Sequence, residues 1–268
     1  MAYPKEIAES EPARPVKYSV CSLVSNLEEY LEMVNSYQQA GFTDELCEFL
    51  YVDNTRGNKY DAYAGLNKLM ARAGGQYLIL SHQDVLIRFD TEADLSRRIA
   101  DMDLLDPQWG VLANAGFADL KRQFKRISHL HETLSAGPFP HPVQSVDENF
   151  MLLKKSAGLL FSPDLSGFHL YGTDICLAAA QKGYSCYVID FHLLHKSTGN
   201  MNESFFKARE AFIQKHGASL SPRYIRTPCT IMFLSGSPLL NAVMNRPLMI
   251  SIAKFLKKVE LRMKGIKY

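Results

Sequence analysis

The sequence predicts an α/β protein with a mostly parallel, Rossmann-like central sheet, and three observations lead to this fold class. Strand-like and helical segments alternate in the order strand, helix, strand, helix, strand from residue 18 to residue 80. The third strand is the apolar run at residues 77–80, which follows Gly74-Gly75 and has the composition of a strand buried on both faces. Polar side chains follow all three strands, at the sheet edge where open α/β folds bind ligands.

The order of the segments gives the expected elements along the chain. A strand at residues 18–24 leads into a helix between Asn26 and Gly41, and Asn26 and Glu29 have the spacing of a capping box. Polar, basic residues 121–134 are expected to lie on the surface, and residues 137–142, with three prolines, mark the clearest internal boundary. Further strands are expected at residues 46–52, 77–80, 109–115 and 184–190, and further helices at about residues 60–73, 91–102 and 175–182.

The composition argues against several classes of protein. A hydrophobic share of 47% and a charged share of 22% are ordinary for a globular protein with a sizeable core. A formal net charge of +2 predicts no nucleic-acid partner. Five cysteines without a Cys-x-x-Cys pair indicate a reducing compartment. The sequence has no signal-peptide core and no run of about 18 apolar residues, so a cytoplasmic location is expected.

The last segment differs from the rest in charge. Residues 246–268 contain seven Lys or Arg and one Glu, a charge of +6, while the remaining residues carry −4. This pattern is typical of a helix that lies in the plane of an anionic membrane. The alternative is an amphipathic helix that packs on protein and exposes a basic face. Apolar residues recur there at helical spacing, at Leu248, Ile252, Phe255, Leu256, Val259 and Met263.

Candidate site residues follow the first three predicted strands. A hard oxygen ligand such as Asp84 can hold Mg²⁺ or Mn²⁺ against a pyrophosphate. The chain has neither a Gly-x-Gly-x-x-Gly fingerprint nor a P-loop at these positions. The alternatives are that Asp53 forms a turn and that His82 and Asp84 are polar loop residues. The candidates in chain order are Ser22, Ser25, Asp53, Asn54, His82, Gln83 and Asp84.

Five segments together carry a resemblance to a known family, and they lie in order within residues 18–200: YVDN, YAGLNKLMARAGGQYLILSHQDV, SVDENFML, FHLYGTDICLAAAQKGY and HLLHKSTG. In these segments the chain resembles GT-A fold glycosyltransferases of the family-2-like group of bacterial capsule and lipopolysaccharide biosynthesis. The resemblance implies an inverting, metal-dependent transferase. It would move a sugar from a nucleotide-sugar, most simply a UDP-sugar, to a glycan or lipid-linked acceptor at the inner face of the plasma membrane.

The resemblance also implies roles for individual residues. Asp84 would bind the Mn²⁺ or Mg²⁺ ion on the donor diphosphate, His195 would be a further metal contact, and Asp174 would be the catalytic base. His82 stands where the family has the first acid of an Asp-x-Asp motif. The donor would contact Ser25, Asp53, Asn54, His82 and Gln83. The acceptor side would contain Asp147, Glu148, His169 and Tyr171.

The resemblance and the segment order together suggest a division of the chain. Residues 1–16 would be a flexible leader, and residues 17–235 would form the catalytic domain. Its nucleotide-binding half would span about residues 17–136 and its acceptor half about residues 143–235. Residues 236–268 would form a basic, amphipathic C-terminal helix.

The residues by themselves leave other interpretations open. Asp174 follows Thr173 at a helix start, where a carboxylate is favoured whatever the function. The same holds for Asp147 and Glu148 if a helix begins there. His192 is three residues from His195, and either imidazole could be structural. A non-catalytic nucleotide-sugar or glycan-binding protein on the same fold is the alternative function, and a nucleotide-sugar hydrolase is a third.

Overall fold

Sixteen strands and seven α-helices are present in the part of the chain that the computed structural model describes, residues 4–6, 14–197, 203–218 and 221–266. The strands are β1 Lys5–Glu6, β2 Val16–Val24, β3 Cys47–Asp53, β4 Gly75–Ser81, β5 Val85–Leu86, β6 Trp109–Ala113, β7 Ala115–Phe117, β8 Gln123–Ser128, β9 Thr133–Ala136, β10 His141–Pro142, β11 Ser145–Val146, β12 Phe150–Lys154, β13 Ser185–Val188, β14 Leu193–His195, β15 Arg223–Arg226 and β16 Ile231–Leu234. The helices are α1 Leu27–Gln39, α2 Ala62–Arg72, α3 Glu92–Leu105, α4 Tyr171–Gln181, α5 Glu203–Gly217, α6 Pro238–Met244 and α7 Pro247–Met263.

The central sheet has the strand order β1-β3-β2-β4-β12-β6-β13-β10. Strands β1, β3, β2 and β4 run parallel to one another, and β12 is antiparallel to both of its neighbours, β4 and β6. Val20 of β2 lies between Phe49 of β3 and Ile79 of β4, so the first three predicted strands are neighbours and their carboxyl ends share one edge. The predicted α/β fold with a central sheet is confirmed.

Both faces of this sheet are buried, because side chains along a strand point alternately to opposite sides. In β4, Leu78 and Leu80 belong to the core under α2, α4 and α5, while Tyr77 and Ile79 belong to the core under α1 and α3. The apolar run at residues 77–80 is therefore continuous and not alternating, as its sequence predicts. The abrupt change to polar residues after Ser81 marks the point where the chain leaves this core.

The first helix begins where the sequence predicts it. The Asn26 side chain accepts hydrogen bonds from the backbone N–H groups of Glu28 and Glu29, which caps α1. The N–H of Asn26 itself donates to the side chain of Gln83, at the end of the neighbouring strand β4. The cap thus joins the start of α1 to the edge of the sheet where the candidate residues lie.

Residues 121–134 differ from the prediction, because they contribute strands to a second sheet. This sheet has the order β11-β7-β8-β14-β5, and β9 pairs with β8. Phe124 and Ile127 of β8 are buried, while Lys125 and Arg126 are half-buried. Within β8 these two are the apolar positions, amid charged residues, and the tertiary structure decides their burial.

The two predicted halves of the domain share one sheet. Strand β12, from the half assigned to the acceptor, pairs with β4 over five residues and also with β6, both from the nucleotide-binding half. The predicted leader also contributes, since Lys5–Glu6 pairs with β3; residues 1–3 and 7–13 of that leader lie outside the described residues. The central sheet therefore needs strands from both sides of the proline-rich segment.

The predicted appendage at residues 236–268 contains two helices, α6 and α7, up to the last described residue, Ile266. Prolines begin both helices, at Pro238 and Pro247, where the missing N–H costs no hydrogen bond. Over the described residues, the helices are all too short or too polar to cross a membrane.

Candidate functional site

A cavity of about 350 Å³ opens at the carboxyl ends of β2, β3 and β4. Leu23, Leu66 and Leu80 are apolar residues of its lining, and most of the other lining residues are polar. The cavity lies at this edge because the three strands are parallel, so that their carboxyl ends lie together. The predicted site residues that line the cavity are Ser25, Asn54, His82, Gln83, Asp84, Glu148 and Tyr171.

Gln83 ties two of the strand ends together. Its Oε1 accepts hydrogen bonds from the backbone N–H groups of Ser25 (2.8 Å) and Asn26 (3.0 Å), and its Nε2 donates to the Ser25 hydroxyl and to Glu29. Both ends of the amide are thus engaged within the protein. Gln83 therefore shapes the cavity wall. The predicted contact with a nucleotide-sugar would have to use hydrogen-bonding positions of the amide that the protein leaves open.

Asn54 and Asp53 organise the loop that follows β3. The Asn54 side chain donates to the carbonyl oxygen of Tyr60 at 2.8 Å and accepts from the Tyr60 N–H at 3.2 Å, which fixes this loop beside the cavity. Asp53 accepts a hydrogen bond from the Thr55 N–H at 2.8 Å, the turn geometry that the sequence left open as an alternative. Asp53 does not line the cavity.

Three predicted residues form a cluster that could hold a metal ion. His82 and Asp84 follow β4, His195 ends β14, and one ligand atom from each lies within 4.8 Å of the other two. His195 Nε2 is 3.4 Å from Asp84 Oδ1. Backbone hydrogen bonds hold the two chain segments: the His82 N–H donates to the Asn149 carbonyl oxygen, and the N–H of Lys196, which follows His195, donates to the Asp84 carbonyl oxygen.

The directions in which the pKa values of Asp84 and His82 are shifted suit metal binding. Burial by itself would raise the pKa of Asp84, but hydrogen bonds from His195 and Ser197 and the charge of His195 outweigh it and hold the pKa below its usual range. Burial and the neighbouring His195 lower the pKa of His82. An ionised carboxylate and a neutral imidazole are the forms that bind metals.

The structure also separates the two histidines between which the sequence could not choose. His192 stacks on the ring of Phe89, with centroids 3.9 Å apart, and its Nε2 lies 2.9 Å from the Ser128 hydroxyl. His195 is 8% exposed and faces Asp84. His192 is thus the packed, structural imidazole, and His195 belongs to the metal-ligand cluster.

Glu148 and Tyr171 form the wall opposite the ends of β2 and β3. Glu148 Oε1 accepts a hydrogen bond from the Gly172 N–H, at the start of α4, at 3.1 Å. Tyr171 Oη lies 2.7 Å from His82 Nε2, so one residue of the same helix start contacts the metal-ligand cluster. Burial, helped by the charge of Asp147 and opposed by backbone hydrogen bonds at the start of α4, raises the pKa of Glu148 to about 8. The Glu148 carboxyl group therefore exchanges its proton near neutral pH.

Asp174 lies apart from the cavity and has no exposed surface. Its carboxylate accepts hydrogen bonds from the Ser162 N–H and hydroxyl, both at 2.8 Å, and lies 2.7 Å from His216 Nε2 of α5. A base must come within hydrogen-bond reach of the proton that it removes. This position therefore does not fit the role of base that the resemblance implies; the carboxylate instead joins α4, α5 and the loop at Ser162.

The other two residues expected on the acceptor side also lie outside the lining of the cavity. Asp147 accepts a hydrogen bond from the Asn149 N–H at 3.1 Å. The alternative of a helix start at Asp147 and Glu148 is wrong, because residues 147–149 form a short turn between strands β11 and β12. The carbonyl oxygen of His169 accepts a hydrogen bond from the Tyr63 hydroxyl. The His169 imidazole packs edge-on against the ring of Phe205, with ring centroids 5.4 Å apart.

The residues that line the cavity and were not predicted as site residues include Asn58 and Phe168. Asn58 follows Gly57 in the loop after β3, and Phe168 is 39% exposed beside His169. Phe168 lies inside one of the segments that carry the resemblance, which is a signal that could have found it. Asn58 has no such signal, since loop asparagines are common for reasons of turn geometry.

Comparison with known proteins gives one relative in sequence and several in structure. The chain is 34% identical over 206 residues to the protein named ATP synthase subunits region ORF 6 of Fuscovulum blasticum, covering 74% of this chain and 83% of that protein. No family model matches the chain.

Among solved structures, S. aureus TarS 1–349 in complex with UDP-GlcNAc aligns with a TM-score of 0.51 at 12% identity, over 77% of this chain and 68% of that one. The same protein in complex with UDP aligns with a TM-score of 0.48 at 12% identity, over 77% and 67% of the two chains. The mixed sheet, its helices and the first of these alignments establish a fold of the GT-A glycosyltransferase type.

Proposed function

Because the chain belongs to the family of the F. blasticum ATP synthase subunits region ORF 6 protein and has a GT-A type fold, we propose that it is a metal-dependent glycosyltransferase. It would move a sugar from a nucleotide-sugar, most simply a UDP-sugar, to a glycan or lipid-linked acceptor in bacterial surface polysaccharide synthesis. One observation carries the proposal: a cavity at the carboxyl ends of β2, β3 and β4 has a metal-ligand cluster at its wall.

His82, Asp84 and His195 would hold the metal ion. Two imidazoles and one carboxylate suit a first-row transition metal better than Mg²⁺, and Mn²⁺ is the one of these metals that is also suited to the oxygen ligands of a diphosphate. When bound, the ion would offset the negative charge of the departing nucleoside diphosphate. The contact between Tyr171 and His82 would hold the imidazole in its orientation, as outer partners of metal ligands do.

The donor would lie over the ends of β2, β3 and β4. Ser25, Asn54 and Asn58 offer polar groups there, and Leu23 and Leu66 offer an apolar surface to a sugar or base. The TarS structure that shares this fold contains UDP-GlcNAc, which supports a uridine nucleotide as the first donor to test. The cavity of about 350 Å³ is within the size range of small-ligand sites.

Glu148 would be the catalytic base in place of Asp174. Asp84 and Glu148 are the carboxylates among the residues that line the cavity, and Asp84 belongs to the metal-ligand cluster. A pKa of about 8 gives Glu148 the strength to take a proton from a sugar hydroxyl near neutral pH. A single base beside the donor supports direct displacement, with inversion at the anomeric carbon. Asp147 and His169 could still shape the acceptor side from behind this wall.

One observation supports the alternative function, a non-catalytic nucleotide-sugar or glycan-binding protein. Asp174, which the resemblance implies as base, is fully buried and hydrogen-bonded within the protein. Without a base, the same cavity would bind a donor and not turn it over. Glu148 at the cavity wall makes the transferase the better-supported function.

Thermal unfolding with a panel of nucleoside diphosphates, with and without Mn²⁺, tests the proposal. A ligand at 100 times its dissociation constant adds about 2.7 kcal/mol to the unfolding free energy. We expect stabilisation by UDP that requires Mn²⁺, is weaker with Mg²⁺ and is lost in Asp84→Ala. Asp101→Ala, an exposed aspartate on α3, is the matched control and should keep the full shift.

The absence of a shift with every nucleotide would contradict the transferase proposal. A Mn²⁺-dependent shift without turnover, in the presence of glycan acceptors, would favour the binding protein. Release of UDP that does not depend on an acceptor would indicate a hydrolase.

A further inference from the structure

The last helix, α7, carries an apolar stripe that faces away from the protein. Leu248, Phe255 and Met263 are 70%, 63% and 78% exposed, and Ile252 and Leu256 are also exposed. These positions recur at intervals of four, three, one and seven residues, which sets them on one side of a helix. Leu261, which is 1% exposed, is on the opposite side, where α7 meets the rest of the protein.

The apolar stripe is accompanied by a row of positive charge. Lys254, Lys258 and Arg262 follow one another at intervals of four residues, so they form a continuous row along the helix beside the stripe. Over the described residues, none of the three has a carboxylate partner within ion-pair distance. The other two lysines of this region, Lys257 and Lys264, both pair with Glu260, at 2.9 and 2.7 Å.

Helix α6 adds exposed apolar side chains to the same region. Leu239 is 74% exposed, and Leu240 and Val243 are also exposed. Eight of the seventeen large apolar side chains exposed in the described parts of the chain therefore lie in α6 and α7. Apolar side chains concentrated in this way mark a surface that another partner covers, whereas single exposed ones are ordinary.

We propose that α7, with α6 beside it, docks in the plane of an anionic lipid bilayer. The apolar stripe would enter the boundary between headgroups and acyl chains, and the row of Lys254, Lys258 and Arg262 would contact lipid phosphates. At 17 residues the helix is about 25 Å long, and its charges keep it at the surface. The inference does not rest on the proposed glycosyltransferase activity, because none of these residues lines the cavity.

Charge favours a lipid surface over a second copy of the chain. From Arg246 to Lys264 the described chain has six basic residues and one acidic residue. Two such surfaces packed on each other would bring like charges together and bury their lysines unpaired, which costs free energy. An anionic bilayer offers the opposite charge, and each basic residue near it contributes about 1 kcal/mol.

Sedimentation of the full chain with sucrose-loaded vesicles tests the proposal. We expect binding to vesicles of phosphatidylcholine with roughly 30% phosphatidylglycerol, which gives the surface a negative charge. We expect little binding to vesicles of phosphatidylcholine alone. The triple variant Lys254→Gln, Lys258→Gln, Arg262→Gln should weaken binding to the anionic vesicles on the order of 100-fold. The control triple Lys68→Gln, Lys207→Gln, Arg223→Gln removes the same number of positive charges at exposed positions elsewhere and should bind as the natural chain does.

A second pair of variants separates docking from folding. Leu248→Ser with Phe255→Ser should weaken vesicle binding at least tenfold, by the loss of two inserted apolar side chains, and should leave the melting temperature unchanged because both are exposed. Equal binding to neutral and anionic vesicles, or unchanged binding by the Gln triple, would overturn the proposal. So would a dimer in lipid-free light scattering that the Ser pair converts to monomer, since that result would assign the stripe to a second copy.

Discussion

Glu148 and Asp174 show how the surroundings of a carboxylate decide its use. Glu148 reaches the cavity wall, where backbone groups at the start of α4 donate to it, while Asp174 is surrounded by donors from Ser162 and His216 and has no exposed surface. A fully buried carboxylate is held in place by its donors, whereas a carboxylate that lines a cavity can also contact a substrate. Asp174 therefore has a structural role, and Glu148 is the carboxylate in position to react with a substrate.

Substituting each carboxylate by its amide should separate these roles. Glu148→Gln should lower sugar transfer by about 10²- to 10⁴-fold, the usual contribution of a general base, and keep the Mn²⁺-dependent shift with UDP. Asp174→Asn should instead lower the unfolding free energy by about 1–3 kcal/mol, because its new NH₂ group faces the Ser162 N–H. Turnover assays and urea unfolding measure the two effects. Loss of transfer in Asp174→Asn with unchanged stability would restore Asp174 as the base.

The pH dependence of the same variants gives a second readout. Burial raises the pKa of Glu148 from 4.5 to about 8, so its base form increases as the pH rises toward 8. We expect kcat/KM to rise over that range, and Glu148→Gln to lose the rise. Stability should change in the opposite direction: above pH 4.5 the unfolded chain releases a proton that the folded chain keeps, so the natural chain loses stability toward pH 8 relative to Glu148→Gln. A flat stability difference would show that the pKa is unshifted.

At the scale of the element, the start of α4 builds one wall of the cavity. Leu170 precedes the helix with a φ of 67°, in the left-handed region, and Tyr171 and Gly172 then meet His82 and Glu148. Gly172 leaves the space that Glu148 occupies: a Cβ there would lie 2.7 Å from the Val146 oxygen and 2.9 Å from the Glu148 Cγ. The missing side chain is therefore a condition for the position of Glu148.

Gly172→Ala should displace Glu148 from the wall. The added methyl group overlaps backbone as well as side-chain atoms, and such overpacking typically costs about 1–3 kcal/mol. We expect transfer to fall at least tenfold with less effect on donor binding, measured as kcat against donor KM. Ala180→Gly, exposed near the end of the same helix, is the control: it should cost about 1 kcal/mol and leave transfer unchanged. Equal activity in Gly172→Ala would argue against Glu148 as the base.

At the scale of the whole molecule, the site depends on chain segments that are distant in sequence. Strand β12 fills the place between β4 and β6, and His195 of β14 reaches Asp84 beside β5. Neither predicted half of the domain contains the full sheet or the full metal-ligand cluster. The two halves are therefore parts of one structural unit.

A fragment of residues 1–136 should not fold on its own. It would expose the edge of β4 that pairs with β12 over five residues, and it would lack Glu148, Tyr171 and His195. We expect no cooperative thermal transition in circular dichroism and no shift with Mn²⁺ and UDP. A chain that ends at Arg246 is the control, since α7 contributes one buried residue, Leu261, and that chain should unfold cooperatively. Cooperative unfolding of the shorter fragment would refute the single unit.

Local sequence patterns predicted a large part of the fold and the position of the site. Continuous apolar runs specified the buried strands, Asn26 specified a helix start, and polar residues after β2, β3 and β4 specified the edge where the cavity lies, because strand order follows from short crossovers. His82, Asp84 and His195 were also named from the sequence, with help from family resemblance. Patterns of this kind span only a few neighbouring residues. They can therefore be recognised in the sequence without knowing which other segments pack against them.

Only the tertiary structure decided which of several chemically similar residues face the cavity. It separated His195 from His192 and Glu148 from Asp174, and it placed β8 in a second sheet although Lys125 and Arg126 make that strand basic. In each case the deciding contacts come from residues distant along the chain, such as Phe89 for His192 and His216 for Asp174. Burial and hydrogen-bond partners are properties of the packed molecule, and so the same residue type carries different chemistry at neighbouring positions.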